Sequence, residues 1–155
     1  MPDCNTIIHN DLHPGNIMIQ DGEILLIDMP DMTLGPVIYD LCGIFRNMVM
    51  APKLEVHNKE KELDKGLERS LGMPKDLIFK VGNLFFEKYS GITDKAELDA
   101  LYHKLTLLSA FNVTLSLGYA SEVSVKAAPM VIENLYKKIL VPNEKELREI
   151  FSTAR

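Results

Sequence analysis

Asp21-Gly22 stands between two apolar runs, Asn16–Gln20 with Ile17, Met18 and Ile19, and Glu23–Asp28 with Ile24, Leu25, Leu26 and Ile27. An Asp-Gly pair so placed is the strongest short-range signal for a β-hairpin, because both central positions of the tight turn need positive φ. The turn sets which residues face each other, so it constrains the chain more than any compositional total does. Another β-rich run, Thr6–His9, leads into the polar loop His9-Asn10-Asp11-Leu12-His13-Pro14-Gly15-Asn16. The first 28 residues therefore read as strand, polar loop, strand, tight turn, strand, ending on Asp28.

Met29–Pro36, punctuated by Pro30, Gly35 and Pro36, reads as a loop. Pro36 suits the first turn of a helix, and Val37–Met50 follows with Val37, Leu41, Ile44 and Phe45 on one face. Residues 53–69 carry both charge signs in near balance, the pattern of a solvated helix face or connector. Helical periodicity recurs over Asp76–Tyr89, Asp94–Tyr119, Val125–Leu140 and Glu144–Phe151. The expected fold class is α+β, mostly α, in a single domain over residues 1–155. A β-hairpin unit occupies residues 1–35 and a bundle of about five helices occupies residues 36–155.

At 155 residues, 46% hydrophobic and 25% charged, the chain can bury a core and lacks the composition of a disordered segment. A net charge of −5 without a basic cluster argues against a nucleic-acid partner. Cys4 and Cys42 form no CxxC and read as free thiols of a reducing compartment. No apolar signal segment opens the sequence, so a cytoplasmic location is expected. Leu105–Ser121 has no formal charge over 17 residues. A membrane span needs roughly 20 predominantly apolar residues, and this run includes Thr106, Ser109, Asn112, Thr114 and Ser116. A buried helix is the better expectation, with no membrane partner.

His9, Asp11, His13 and Asn16 leave three chemistries open. An ordinary turn would explain Pro14-Gly15. A metal centre opening on Asp11-x-His13 would need further ligands, and only His57 and His103 remain among the histidines. Phosphoryl transfer of the protein-kinase type uses a base Asp, then a Mg²⁺-binding Asn five residues on, then a second metal-binding Asp on the next hairpin. Asp11, Asn16 and Asp28 stand in that order, with the strand, loop and turn between them.

HNDLHPGNIMI, LLIDMPD and LGPVIYDL together resemble the aminoglycoside phosphotransferase and choline kinase-like superfamily. Its members typically carry H-G-D-x-H-P-G-N, then I-D-[FW]-x-[DEG], then G-[DP]-x-x-x-D-[LI]. The dense likeness covers roughly residues 5–42. The resemblance implies the C-terminal lobe of a protein-kinase-like fold and an ATP-dependent phosphotransferase acting on a hydroxyl of a small molecule, aminoglycoside- or choline-like. It implies Asp11 as the catalytic base, and Asn16 and Asp28 as the residues binding Mg²⁺ and, through it, ATP. It further implies that His9 buttresses the loop, that His13 lies near the metal loop and that Asp40 anchors the catalytic loop. Asp31 could line the substrate mouth or simply belong to a surface turn. Two positions depart from the family pattern: Asn10 replaces Gly, and Met29-Pro30 replaces an aromatic-plus-small pair.

Kinase-like chemistry also needs a phosphate-covering loop and a Lys on the α/β-phosphates. The first Lys here is Lys53, and no Gly-rich loop occurs. The chain is therefore expected to be a catalytic lobe whose N-terminal lobe is missing, truncated and inactive by itself. It should expose an apolar lobe-docking face prone to self-association. The substrate pocket is expected between Asp11 and the helices after residue 75, with Ser109, Asn112 and Thr114 either facing it or capping backbone carbonyls. A non-catalytic, pseudokinase-like partner-binding module is the alternative.

Overall fold

The computed structural model describes residues 6–50, 68–69, 71–119 and 128–152. Two compact units comprise them, residues 2–100 and residues 101–155. Cys4, His57 and most of the charge-rich 53–69 segment lie outside the described residues.

The first unit opens with β1 (Ile7–Ile8), a 3₁₀ turn at Pro14–Asn16, β2 (Ile17–Gln20), β3 (Glu23–Leu26) and β4 (Thr33–Leu34). β2 and β3 pair antiparallel, with Ile17 opposite Leu26, Met18 opposite Leu25, Ile19 opposite Ile24 and Gln20 opposite Glu23. Asp21 and Gly22 take φ of 54° and 83°, the two positive values that a type I′ turn requires. β1 pairs antiparallel with β4, Ile7 opposite Leu34 and Ile8 opposite Thr33. The sequence reading of Met29–Pro36 as loop throughout is thus corrected at Thr33–Leu34. A two-residue strand has no periodicity to detect. It is defined by a distant partner, and the Gly35 N–H donating to the Thr6 carbonyl at 2.9 Å extends the pairing.

α1 (Ile38–Phe45) starts after Pro36 and buries Leu41, Cys42, Ile44 and Phe45. The expected helix to Met50 continues as a π-helical turn, Arg46–Met50, which buries Met48, Val49 and Met50. α2 (Lys75–Ser90) ends at Gly91, whose φ of 64° makes it the left-handed stop after the helix. Its Ile78, Gly82 and Phe86 recur every four residues and form the buried stripe. Gly82 meets the π-helical turn so closely that a Cβ there would lie 2.8 Å from Met48 Cβ. Phe86 packs edge-to-face on Phe45 at 5.6 Å between ring centroids. Ile8, Leu41, Ile44, Phe45, Val49, Ile78 and Phe86 are all buried in this unit. Each contributes about 1.5–3 kcal/mol on leaving water.

α3 (Lys95–Tyr119) begins at Asp94, whose carboxylate accepts the Glu97 N–H at 2.9 Å. In the second unit α3 buries Leu105, Leu107, Leu108, Ser109 and Ala110. Thr114 donates to the Ala110 carbonyl at 2.8 Å, so its hydroxyl caps backbone in its own helix. α4 (Ala128–Leu135) runs into a second π-helical turn, Tyr136–Leu140, then a 3₁₀ turn, Val141–Asn143, and α5 (Glu144–Ser152). Phe111 and Phe151 pack at 5.0 Å. Among the described residues no helix is long and apolar enough to cross a membrane. The described residues are mostly helical with two small antiparallel sheets, the α+β class expected.

Candidate active site

The two-residue turn sets the geometry of the polar loop. With Ile17 opposite Leu26, the next pair back is Asn16 with Ile27, and the Ile27 N–H donates to the Asn16 carbonyl at 3.0 Å. Asn16 and the neighbour of Asp28 are therefore held side by side by the hairpin itself. Asn16 is buried, and its side-chain Nδ2 donates to the Asp11 carbonyl at 3.0 Å. Its own N–H donates to the His13 carbonyl at 2.9 Å, closing the 3₁₀ turn. One side chain thus joins the middle of the loop to the start of the hairpin.

His9 makes the second link. Its ring Nε2 lies 2.9 Å from the Ile27 carbonyl, so Nε2 carries the hydrogen and donates. The ring is buried, and Nδ1 has no hydrogen-bond partner among the described residues. Both ends of the Asn16–Asp28 span are in this way tied to the loop that carries Asp11.

Asp40, in the first turn of α1, makes the third. Its Oδ2 accepts the His9 N–H and its Oδ1 the Asn10 N–H, both at 2.8 Å. Three residues on, Gly43 brings the backbone of α1 against the Leu12 carbonyl. A Cβ at position 43 would lie 1.8 Å from that oxygen. Asp40 and Gly43, about one turn apart, hold the start and the middle of the loop. Sequence reading missed Gly43, although a glycine inside a helical pattern is a signal of close backbone approach.

Two non-glycine residues at the site sit in the left-handed region, Asn10 with φ 68° and Asp28 with φ 59°. This accounts for the departure at position 10. Where the family pattern has Gly, Asn is the side chain that tolerates this conformation best. Asp28 is exposed, as are Asp11 and Asp31. Asp31 lies in a turn closed by the Met32 N–H on the Met29 carbonyl at 3.2 Å. His13 Nδ1 accepts the Gly15 N–H at 3.1 Å, and its Nε2 is 3.8 Å from Asp11 Oδ2.

His103 pairs with Glu146 at 2.9 Å in the second unit, and a cleft of about 560 Å³ beside it is lined by Lys104, Lys145, Glu146 and Glu149. None of the expected site residues lines that cleft. Among the described residues no three His, Cys, Asp or Glu side chains form a metal-holding group, and His57 lies outside them. Asn16 and Asp28 remain as hard oxygen donors. That is a fitting set for Mg²⁺, which takes one or two protein oxygens and completes its shell with water and phosphate.

Residues 2–69 match the model of the phosphotransferase enzyme family. That segment is similar to the family over a little under half of the chain. The match takes in every residue of the loop and hairpin, together with Asp40 and Gly43. It extends the phosphotransferase likeness past the 5–42 stretch on which the motifs lie. No curated protein matches the chain significantly. No solved structure does so either.

Proposed function

We propose that the phosphotransferase segment carries the catalytic loop of an ATP-dependent enzyme that phosphorylates a hydroxyl of a small molecule. The observation that supports this most is the Asn16 side chain. It bonds to the Asp11 backbone while its carbonyl receives the Ile27 N–H, so base and metal residues share one rigid frame. Asp11 takes the proton of the incoming hydroxyl. The hydroxyl oxygen forms the new bond to the γ-phosphorus as the bond to the ADP oxygen breaks, and the proton remains on the Asp11 carboxylate. Asn16 and Asp28 would hold Mg²⁺, which when bound offsets the phosphate charge. Asp40 and His9 keep the loop from yielding, so positioning is built in before substrate arrives.

Within these 155 residues no Gly-rich loop and no early Lys serves the α/β-phosphates. Each missing charge-assisted contact removes about 1.5–3 kcal/mol of nucleotide binding. The chain alone should bind Mg-ATP weakly and transfer phosphate undetectably. The test is a titration of the chain with Mg-ATP followed by backbone amide shifts. Shifts should concentrate at residues 10–16 and 27–29 and vanish in Asp28→Asn. Absence of any shift there at millimolar Mg-ATP would overturn the proposal.

One observation favours a second function, partner binding. Ile19 and Ile24, a cross-strand pair, are 77% and 72% exposed, and Met18, Leu25, Leu26 and Ile27 are also exposed. Cross-strand partners share a face, so the hairpin is apolar on both faces. Such a ribbon is stable only when covered. A nucleotide-covering lobe would do so in the phosphotransferase, and another protein in a non-catalytic module.

A further inference from the structure

We propose that His13 positions the Asp11 carboxylate, a role that rests on the phosphotransfer function above. His13 Nδ1 accepts the Gly15 N–H at 3.1 Å. A ring nitrogen that accepts carries no hydrogen, so the neutral ring bears its hydrogen on Nε2. Nε2 is the atom 3.8 Å from Asp11 Oδ2. The ring also rests on the bare backbone of residue 15, where a Cβ would lie 2.9 Å from its Cε1 and 3.0 Å from its Nδ1. Pro14 between them fixes φ. The imidazole is seated from one side, its tautomer is set, and its one N–H is left nearest the base.

At 3.8 Å the two atoms are neighbours and not hydrogen-bonded. The two side chains are 34% and 55% exposed, so the pair adds little to folding. Its effect is on orientation. A ring that favours Oδ2 on its Nε2–H side would leave Oδ1 as the oxygen that takes the hydroxyl proton. A mere cap of the 3₁₀ turn would need only Nδ1, and Asn caps at least as well. The second nitrogen is what a capping role leaves unexplained.

The test uses the full chain, its His13→Asn variant, which keeps the cap and lacks Nε2–H, and its Asp11→Asn variant. Long-range ¹H–¹⁵N spectra should show His13 as the Nε2–H tautomer, with a resolved Nε2 shift in Asp11→Asn. In His13→Asn the Asp11 Cγ resonance should move while the Gly15 amide stays. An Nδ1–H tautomer, or an Asp11 Cγ unmoved in His13→Asn with the fold intact, would overturn the proposal. If His13→Asn fails to fold, the tautomer and the Asp11→Asn shift decide alone. Failure of phosphotransfer is seen separately. A chain whose Asn16 and Asp28 amides ignore Mg-ATP loses that function, even where His13 and Asp11 prove coupled.

Discussion

Ile27 donates its backbone N–H to the carbonyl of Asn16, and this single 3.0 Å bond aligns the end of β3 with the end of the polar loop. It exists because a turn of two residues, Asp21 and Gly22, sets the strand register. Gly22→Val should therefore cost about 1–2 kcal/mol, the penalty of a side chain in the left-handed region. Urea unfolding measures the loss. The Mg-ATP-dependent shifts at Asn16 and Asp28 should weaken in the same variant.

Asp40→Ala removes an acceptor from two consecutive N–H groups. Bonds to a charged acceptor contribute about 1.5–3 kcal/mol each, and Asp40 is only half-buried, so a loss of about 2 kcal/mol is expected. Amide exchange should accelerate first at His9 and Asn10. Unchanged exchange there would remove Asp40 from its anchoring role.

Gly43→Ala places a methyl where the Leu12 carbonyl already lies. Backbone must move, and overpacking of this kind costs typically about 1–3 kcal/mol. A thermal melt should show the drop, and chemical shifts of Leu12 and His13 should change more than those of α1 itself.

Asn10→Gly should be tolerated, with stability within about 0.5 kcal/mol, while Asn10→Val should lose roughly 1–2 kcal/mol at a φ of 68°. Parallel urea curves decide it. Equal tolerance of Val and Gly would mean the left-handed geometry at position 10 is not maintained in solution.

The chain should self-associate in sedimentation experiments at high concentration, through its two-faced apolar hairpin. Ile19→Lys with Ile24→Glu replaces the exposed cross-strand pair by opposite charges that suit the same register. That double variant should remain monomeric with the wild-type melting temperature. Persistence of the association would place the sticky surface elsewhere.

The hairpin and loop were legible in the sequence because their information is local: Asp21-Gly22, two apolar runs, and a motif spanning Asp11 to Asp28. The long helices were legible through their periodicity, and α2 and α3 lie within a residue of the expected limits. What was hidden depends on partners distant in the chain. β4 has two residues and is defined by β1. The π-helical turns at Arg46–Met50 and Tyr136–Leu140 break no hydrophobic pattern, since an apolar stripe passes through them unchanged. Gly43 stood in plain view as a helix glycine, yet only the approach of the Leu12 carbonyl gives it meaning.

The links that build the loop differ in how far they reach along the chain. The hairpin closes over a two-residue turn, an event on the microsecond scale. The Asp40 anchor spans 31 residues to His9 and must wait for α1. The expected order is that Asn16 and Ile27 pair early, and the His9–Asn10 end of the loop is anchored late. A nascent or partly unfolded chain would already hold Asn16 beside Ile27, with the Asp11 backbone on the Asn16 side chain, while His9 and Asn10 still waited for the helix to dock.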